Sequence, residues 1–158
     1  MSDSHGDLKT IEQIAALPAD AYFHCGDSEL TADHEALHKF QIVRGNCDVD
    51  QNFPEEVITT VNGLKVMMVH GHLHQVKSSL MRLFYEAKEY GANIALFGHS
   101  HLYGAEMKDG VLFVNPGSTM LPRGGKEASY AIIEWADQIT VTFKNMYDEV
   151  IDQVQFSK

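Results

Sequence analysis

Five short segments that carry metal-binding side chains are spaced along this chain, and most of them directly follow an apolar run typical of a buried strand. Four of the five contain a glycine, which lets the backbone turn sharply where the strand would end. In open α/β sheets, ligands bind beyond the carboxyl ends of the strands, so this arrangement predicts one shared site at a sheet edge. The segments are Asp3–His5, Gly26–Asp27, Gly45–Asp48, His70–His72 and Gly98–His101.

The hydrophobic pattern along the chain predicts a mixed architecture. The first half alternates strands with helices, which favours a parallel sheet, whereas the second half reads as antiparallel hairpins. Two sheets packed face to face, with helices outside, satisfy both halves within a single domain over residues 1–158. Helices are predicted over 8–17, 31–40 and 78–90, and strands over 21–25, 41–44, 57–61, 64–69, 93–97, 103–107, 111–114, 129–135 and 138–145.

Size and charge limit the partners that such a domain can take. No apolar run reaches the ~18 to 20 residues that span a bilayer, and no secretory signal is visible, so no membrane partner is expected. The formal charge of −10 repels phosphate backbones and disfavours a nucleic acid, although bound divalent cations would still hold a small phosphorylated substrate. The two cysteines, Cys25 and Cys47, are too few for a disulfide scaffold and fit a reducing cytoplasm.

Seven side chains in the five segments have the chemistry of metal ligands. Those at positions 3 and 5 are close enough in sequence to face one ion, and those at 99 and 101 repeat that spacing. Their mixture of carboxylate, amide and imidazole groups suits Mn²⁺, Fe²⁺, Zn²⁺, Co²⁺ or Ni²⁺ and argues against a calcium site or a thiolate-rich zinc site. The set is too large for one tetrahedral ion, so two ions that share a carboxylate are predicted. It consists of Asp3, His5, Asp27, Asn46, His70, His99 and His101.

The other histidines carry weaker signals. His34 and His38 are four residues apart on a predicted helix, and a solvated helix face explains them better than a metal does. His24 lies within a predicted strand and His74 lies beyond the metal-binding segment, so both are interpreted as structural or surface residues. His72 lies inside a metal-binding segment, and either a proton-donating role or no catalytic role fits it.

In this order, the motifs D-x-H, G-D, G-N-x-D, H-G-H and G-H-x-H resemble those of the calcineurin-like metallophosphoesterases, and within them the small bacterial and archaeal phosphodiesterase subfamily. The resemblance runs from Asp3 to the segments 115–118 and 122–124, which is nearly the whole chain. It implies an α/β fold, a four-layer αββα sandwich of two mixed β-sheets flanked by helices. It also implies that Asp27 bridges two ions, the first held with Asp3, His5 and His101 and the second with Asn46, His70 and His99.

The resemblance further implies a metal-dependent phosphodiesterase that hydrolyses small phosphodiesters. Two divalent ions per chain, with Mn²⁺ as the first expectation, would lower the pKa of a bridging water and so supply a hydroxide that attacks phosphorus in line. We predict catalytic roles for Asp27, Asn46, Asp48 and His72. Asn46 and Arg123 are the predicted substrate-binding residues, although an exposed loop charge is the plainer interpretation of Arg123.

Two departures from the family pattern bear on the mechanism. Relatives carry a histidine, thought to protonate the leaving group, where this chain has Cys47. A thiol is a poor general acid, which favours substrates with good leaving groups or another donor such as His72, and leaves the role of Asp48 open.

Relatives also have an apolar strand before the first motif. Here Asp3 follows only Met1 and Ser2, so the first strand is expected to be missing and native residues before Met1 are suspected.

Other functions fit the same resemblance. One is a protein-binding scaffold without effective hydrolysis, like the retromer subunit that shares the fold, and another is a phosphomonoesterase. The complete set of candidate ligands favours an enzyme over a scaffold, and nothing in the residues separates monoester from diester substrates. A homodimer is expected only by analogy with the family.

Overall fold

Two layers of β-strands packed face to face, with a helix on each outer side, form the fold in the computed structural model, which describes residues 1–158. Helix α1 spans Leu8–Ala15 and helix α2 spans Met81–Tyr90. The predicted four-layer α/β sandwich is confirmed. The strands are β1 (Tyr22–His24), β2 (Phe40–Ile42), β3 (Glu56–Val61), β4 (Leu64–Val69), β5 (Ile94–Leu96), β6 (Gly104–Lys108), β7 (Val111–Asn115), β8 (Ser129–Trp135), β9 (Ile139–Asn145) and β10 (Val150–Phe156).

A five-stranded mixed sheet forms one of the two layers, in the order β3-β4-β5-β7-β6. Its three central strands are parallel, and β3 and β6 join them as antiparallel edges. Because β4 and β5 are parallel neighbours, they end at the same edge of the sheet, where His70 and Gly98 follow. The sheet therefore delivers two of the metal-binding segments to one place.

The second layer consists of the parallel pair β1 and β2 and the antiparallel sheet β10-β9-β8. β1 and β2 also run in the same direction, so the loops that carry Asp27 and Asn46 leave this layer at one edge. With the segments after β4 and β5, four strand ends contribute to the same region. The expected location of the site at strand ends follows from this parallel pairing.

The extended segment Met1–Asp3 takes the place of the expected first strand. The amide of Cys25 donates to the carbonyl of Met1 at 3.0 Å, and the amide of Asp3 donates to the carbonyl of Gly26 at 3.0 Å. Ser2 and Asp3 are fully buried. These backbone bonds tie the segment Met1–Asp3 to β1 and the loop that follows it.

Apolar side chains from both layers fill the space between the sheets, which is where burial of apolar surface stabilises the fold most. On the other face of the five-stranded sheet, α2 packs through Leu83, Phe84 and Ala87, while α1 covers the second layer through Ile11 and Ile14. None of the helices is long and apolar enough to cross a membrane. The core between the sheets contains Cys25, Val43, Val66, Met68, Ile94, Leu96, Leu112, Val114, Ile139, Val141 and Phe143.

Two predicted turns are confirmed by their backbone angles. Asn62 and Gly63 both have positive φ, 49° and 82°, as a type I′ hairpin between β3 and β4 requires. Gly91 has φ 66° and ends α2 in the left-handed conformation that glycine adopts without steric cost. These signals fix the register of β3 and β4 and the length of α2.

The helix predicted over 31–40 is wrong. Only a 3₁₀ turn, Glu35–Leu37, forms there, and Phe40 already belongs to β2. Side chains occupy the amide donors that a helix would need: His34 accepts from the amide of Ala36, and Asp50 accepts from the amide of Ala32. The sequence prediction also missed β10, whose side chains alternate weakly and are mostly exposed or half-buried.

Candidate metal centre

Five of the seven predicted ligands lie in a backbone conformation that residues other than glycine rarely adopt. Their φ angles lie between 43° and 69°, in the left-handed region. Each such residue costs on the order of 1 kcal/mol, and strain of this kind clusters at functional sites. The sharp turns aim side chains from different loops at one point. The five residues are Asp3, His5, Asp27, His99 and His101.

One group of ligand atoms comes from the amino-terminal segment and the loop after β5. A carboxylate oxygen of Asp3 and ring nitrogens of His5 and His101 lie within 4.8 Å of one another. Asp3 Oδ1 is 3.1 Å from His101 Nε2, and the carboxylate is completely buried. These three residues are, apart from the bridging Asp27, the ligands predicted for the first ion, and the structure brings them together.

A second group forms around His70. Its Nε2 atom lies 3.3 Å from Asp27 Oδ2 and 3.2 Å from Asn46 Oδ1, and the His99 ring packs against the His70 ring with centroids 5.1 Å apart. His70 Nε2 is also 3.8 Å from Asp3 Oδ1. All seven predicted ligands therefore meet in one region, and Asp27 lies where the two groups adjoin.

Three imidazoles in this region are each oriented by a hydrogen bond from Nδ1 to an oxygen acceptor. His70 donates from Nδ1 to the carbonyl of Cys25 at 2.7 Å, His101 donates from Nδ1 to the carbonyl of Leu121 at 2.6 Å, and His5 donates from Nδ1 to Glu29 at 2.5 Å. Each bond leaves Nε2 free to face the site. This is the usual arrangement of metal-binding histidines, in which the outer acceptor fixes the tautomer and the ring orientation.

The chemistry of the polar atoms at the centre fits divalent cations. His5 Nε2 is a buried atom without a hydrogen-bond partner, and the only ring nitrogens near the buried Asp3 Oδ1 are those of His101 at 3.1 Å and His70 at 3.8 Å. Unpaired buried polar atoms are costly, so a ligand that binds them would stabilise the site. The mixture of carboxylate, amide and imidazole donors suits first-row transition metals.

Asp48 organises the loops instead of facing the metal ligands. Its carboxylate accepts from the amides of Asp27 at 2.8 Å, Glu29 at 2.8 Å and Gly45 at 2.7 Å, and from the hydroxyl of Ser28 at 3.2 Å. The side chain is buried. It thereby ties the loop after β1 to the loop after β2, and with them Asp27 to Asn46.

Close packing explains the glycine in the third segment. A Cβ atom at Gly45 would lie 2.0 Å from Asp27 Oδ1 and 2.4 Å from the Asp27 amide nitrogen, well inside van der Waals contact. Only a residue without a side chain lets the loop after β2 pass this close to the carboxylate. The same holds at Gly98, where a Cβ would lie 2.1 Å from the hydroxyl of Ser2.

The carboxylates of the centre are ionised. Burial would raise the pKa values of Asp3 and Asp27, but hydrogen bonds and positive charge from His101 and His70 outweigh it and lower both. Burial would lower the pKa of His70, but Asp27 and Asp3 outweigh it and raise this pKa. The hydrogen bond to Asp3 raises the pKa of His101. Metal binding would displace the protons of these two imidazoles, because a ligating histidine is neutral.

The pKa values of His99 and His72 are lowered, in contrast to those of His70 and His101. Burial, followed by repulsion from His70 and Lys77, lowers the pKa of His99 to about 4, and burial lowers the pKa of His72 as well. Both rings are therefore neutral near pH 7. The His72 ring lies 5.3 Å from that of His70, and its Nδ1 atom is buried without a partner. His72 thus faces the second group of ligands and belongs to the centre by position.

Cys47 and Arg123 lie at the margin of the centre. The amide of Cys47 donates to Asp27 Oδ1 at 2.8 Å, and desolvation and the Asp27 carboxylate raise the pKa of its thiol to about 11. Arg123 is exposed, and its amide donates to the carbonyl of His101 at 3.3 Å. Its guanidinium is close enough for its charge to oppose protonation of His101.

Sequence reasoning missed the residues that hold the ligands. Glu29 comes two residues after Asp27, and this spacing was the only available signal for its bond to His5. Ser118 donates its hydroxyl to the carbonyl of Asp3 at 2.7 Å, which places the segment 115–118 beside the centre. His24, interpreted as structural or surface, is fully buried and bonded through Nε2 to Ser4 at 2.8 Å.

The profile of the calcineurin-like phosphoesterase superfamily domain matches residues 1–138. The chain is a calcineurin-like phosphoesterase. Among curated members of this superfamily, the probable metallophosphoesterase YsnB of Bacillus subtilis is 42% identical over 159 residues, covering 98% of this chain and 94% of the relative. The phosphodiesterase YfcE of Escherichia coli is 33% identical over 109 residues, covering 64% of this chain and 55% of the relative.

Two solved structures share the fold. A predicted phosphoesterase from Streptococcus pneumoniae superposes with a TM-score of 0.96 at 37% identity and covers all of this chain and 95% of that one. Vacuolar protein sorting 29 of Cryptosporidium parvum superposes with a TM-score of 0.80 at 19% identity, over all of this chain and 96% of that one. At that identity the second likeness shows the fold alone. The chain therefore belongs to the metallophosphoesterase family.

Proposed function

We propose that this metallophosphoesterase is a phosphodiesterase that hydrolyses small phosphodiesters at a dinuclear centre, with Mn²⁺ as the metal. The observation that carries the proposal is the position of Asp27. Its Oδ2 lies 3.3 Å from His70 Nε2, and its carboxylate also belongs to a cluster with His5, so it adjoins both groups of ligands. A bridging carboxylate in a two-metal site needs this position.

The proposed ligand sets follow the geometry. Asp3, His5 and His101 would hold one cation, Asn46, His70 and His99 the other, and Asp27 both. When bound, two such cations supply Lewis acidity and lower the pKa of the water that they bind. We assign Asp48 the positioning role that its bonds to the loops of Asp27 and Gly45 support.

Substrate binding and proton transfer are assigned to three residues. Asn46 is exposed beside His70, and Arg123 carries its positive charge next to His101, so both are proposed to bind phosphate oxygens. His72 is the proposed proton donor. Because its imidazole is neutral near pH 7 and the thiol of Cys47 is a weak acid, we expect substrates with good leaving groups to react fastest.

The surroundings of the site agree with a small substrate in a reducing compartment. The net charge of −10 disfavours polynucleotides. Cys25 and Cys47 are both free thiols, which supports the proposed cytoplasmic location.

A protein-binding scaffold remains the second candidate, because the vacuolar protein sorting 29 fold is shared over the whole chain. The complete ligand set favours the enzyme.

An assay of the metal-reconstituted protein tests the proposal. The protein loaded with Mn²⁺ is expected to hydrolyse bis(p-nitrophenyl) phosphate faster than p-nitrophenyl phosphate. Asp27→Ala should abolish both activities, whereas Asp33→Ala, which removes an exposed carboxylate outside the centre, should not. Absence of metal-dependent turnover on either ester would support the scaffold instead. Faster turnover of the monoester would make the chain a phosphomonoesterase, and full activity of Asp27→Ala would refute the assigned centre.

A further inference from the structure

A cavity of about 550 Å³ opens next to the metal centre, between the loop before α2, the edge strand β6 and the loop that carries Arg123. We call it the Gly104 pocket. Its apolar wall is formed by Val76, Leu80, Phe97 and Phe113, which belong to the core beneath α2. The pocket is open to solvent, and polar and charged side chains complete its lining. None of the predicted metal ligands lines it.

The Gly104 pocket and the metal centre share one strip of backbone. In the segment 98–102, His99 and His101 belong to the metal centre, whereas Ser100 and Leu102 line the pocket. Asn115, at the end of β7, donates to the hydroxyl of Ser100 at 2.9 Å and to the carbonyl of Gly98 at 3.2 Å, which fixes this strip. A molecule held at the metal centre therefore has the pocket directly beside it.

Two cations, Lys77 and Arg123, line the pocket. The amide of Arg123 donates to the carbonyl of His101 at 3.3 Å, which places this residue beside the metal centre. Glu106 is the single acidic residue among the lining residues. In a chain with a net charge of −10, two cations beside an apolar wall complement an anionic ester that carries an apolar group.

We propose that the Gly104 pocket binds an aromatic or heterocyclic ester group of the phosphodiester substrate, from a phenyl ring up to a nucleoside, while the phosphate lies at the metal centre. The proposal rests on the function proposed above. Leu80 and Leu102 supply apolar surface that a ring can reach, Phe97 and Phe113 line the pocket from the core, and Lys77 and Arg123 add two positive charges to its lining. The substrate class is thereby narrowed to phosphodiesters with at least one such group.

Gly104 offers a direct way to block the pocket. A Cβ atom at this position would meet no heavy atom within 4 Å, and its φ is not in the left-handed region. Gly104 and Glu106 are on the same face of β6, whereas Ala105 packs toward the core between the sheets. The side chain of Gly104→Leu would therefore enter the pocket without strain. Thr60→Leu, at an exposed position of the opposite edge strand β3, is the matched control.

Turnover of two esters with the same leaving group measures the preference of the pocket. Bis(p-nitrophenyl) phosphate and methyl p-nitrophenyl phosphate both release p-nitrophenolate and differ only in the second ester group. The ratio of their kcat/KM values is expected to fall at least about 10-fold in Gly104→Leu, which corresponds to 1.4 kcal/mol, and to stay at the wild-type value in Thr60→Leu. An unchanged ratio in Gly104→Leu would overturn the proposal.

Binding of poorly reactive diesters separates the pocket from the chemistry. By calorimetry, the Mn²⁺-loaded wild-type protein is expected to bind diphenyl phosphate at least about 10-fold more tightly than dimethyl phosphate. Equal affinity overturns the pocket proposal even if both esters of the kinetic test are hydrolysed. A tenfold preference that Gly104→Leu loses, in a protein that hydrolyses neither ester, supports the pocket and refutes the phosphodiesterase function.

Discussion

Glu29 accepts a hydrogen bond from the Nδ1–H of His5 at 2.5 Å, which leaves His5 Nε2 as a buried atom without a partner, within reach of Asp3 and Asp27. The Glu29 carboxylate is the outer acceptor for this imidazole, as backbone carbonyls are for His70 and His101. It is also the only one of the three outer acceptors that a substitution can remove.

Glu29→Gln should weaken metal binding at the first ion. A glutamine still reaches His5 but carries no charge, so the imidazole becomes a poorer ligand, and changes of this kind cost about 10–100-fold in metal affinity. Competition with a chelating dye measures the two affinities. Glu35→Gln, at an exposed position of the 3₁₀ turn, is the control. Equal loss at both ions, or no loss, contradicts the assignment.

Gly45→Ala should disrupt the metal centre by crowding. The added Cβ would lie 2.0 Å from Asp27 Oδ1, so either the loop after β2 or the carboxylate must move. We expect fewer than two Mn²⁺ per chain by elemental analysis, with a loss of stability of about 1–3 kcal/mol from overpacking.

The control for this substitution is Gly104→Ala, whose Cβ meets no atom within 4 Å. It should keep the wild-type metal content and melting temperature. Full metal content in Gly45→Ala would show that the loop relaxes without disturbing Asp27.

Cys47→His should extend activity to poorer leaving groups. The thiol, with a pKa raised to about 11, donates a proton poorly near pH 7, whereas an imidazole is well suited to general acid catalysis. We expect kcat/KM for alkyl p-substituted phenyl phosphates with high leaving-group pKa to rise about 100-fold, the lower range for a general acid. A plot of log kcat/KM against leaving-group pKa should therefore become flatter. The slope should not change in Cys25→Ala, which alters a buried thiol.

His24 should make the fold less stable in acid. Burial is the main cause that lowers its pKa from 6.5 to about 3 in the folded protein. The unfolded chain therefore binds a proton that the folded chain does not, and the free energy of unfolding falls as the pH drops below 6.5. The contribution of one such group is about 1.4 kcal/mol per pH unit.

His24→Gln removes this contribution and keeps a hydrogen-bonding side chain beside Ser4. Urea denaturation of the metal-free protein between pH 6.5 and pH 4 should show a shallower loss of stability for the variant than for the wild type, by one proton's slope. His38→Gln, an exposed histidine, should match the wild type. Identical slopes for His24→Gln and the wild type would contradict the assigned pKa.

Most of the fold was predictable because its signals are local. The Asn62-Gly63 turn, the Gly91 cap and the apolar alternation of β8 and β9 each determine structure within a few residues. The region 31–40 failed because the Asp50 carboxylate takes the amide of Ala32 from a distance of 18 residues in the chain. Such long-range competition leaves no periodic pattern in the sequence.

The candidate ligands could be located in the sequence because they pair an unusual residue type with a strand end. Their supports could not. The acceptors of the Nδ1–H groups of His70 and His101 are the backbone carbonyls of Cys25 and Leu121. Every residue has such a carbonyl, whatever its side chain, so the sequence does not single these two out. The Gly104 pocket is likewise invisible in sequence, because residues between positions 76 and 124 must first be folded together to enclose it.

The strip of backbone from Gly98 to Leu102 carries metal ligands on one side and pocket residues on the other. An insertion or deletion there would shift His99 and His101 along with the pocket wall. Changes in substrate preference that keep the metals must therefore arise elsewhere on the rim, in β6 or in the loop of Arg123 and Gly124. Engineering of a new specificity should begin in β6, because the loop of Arg123 carries a residue proposed to bind phosphate and is bonded to His101.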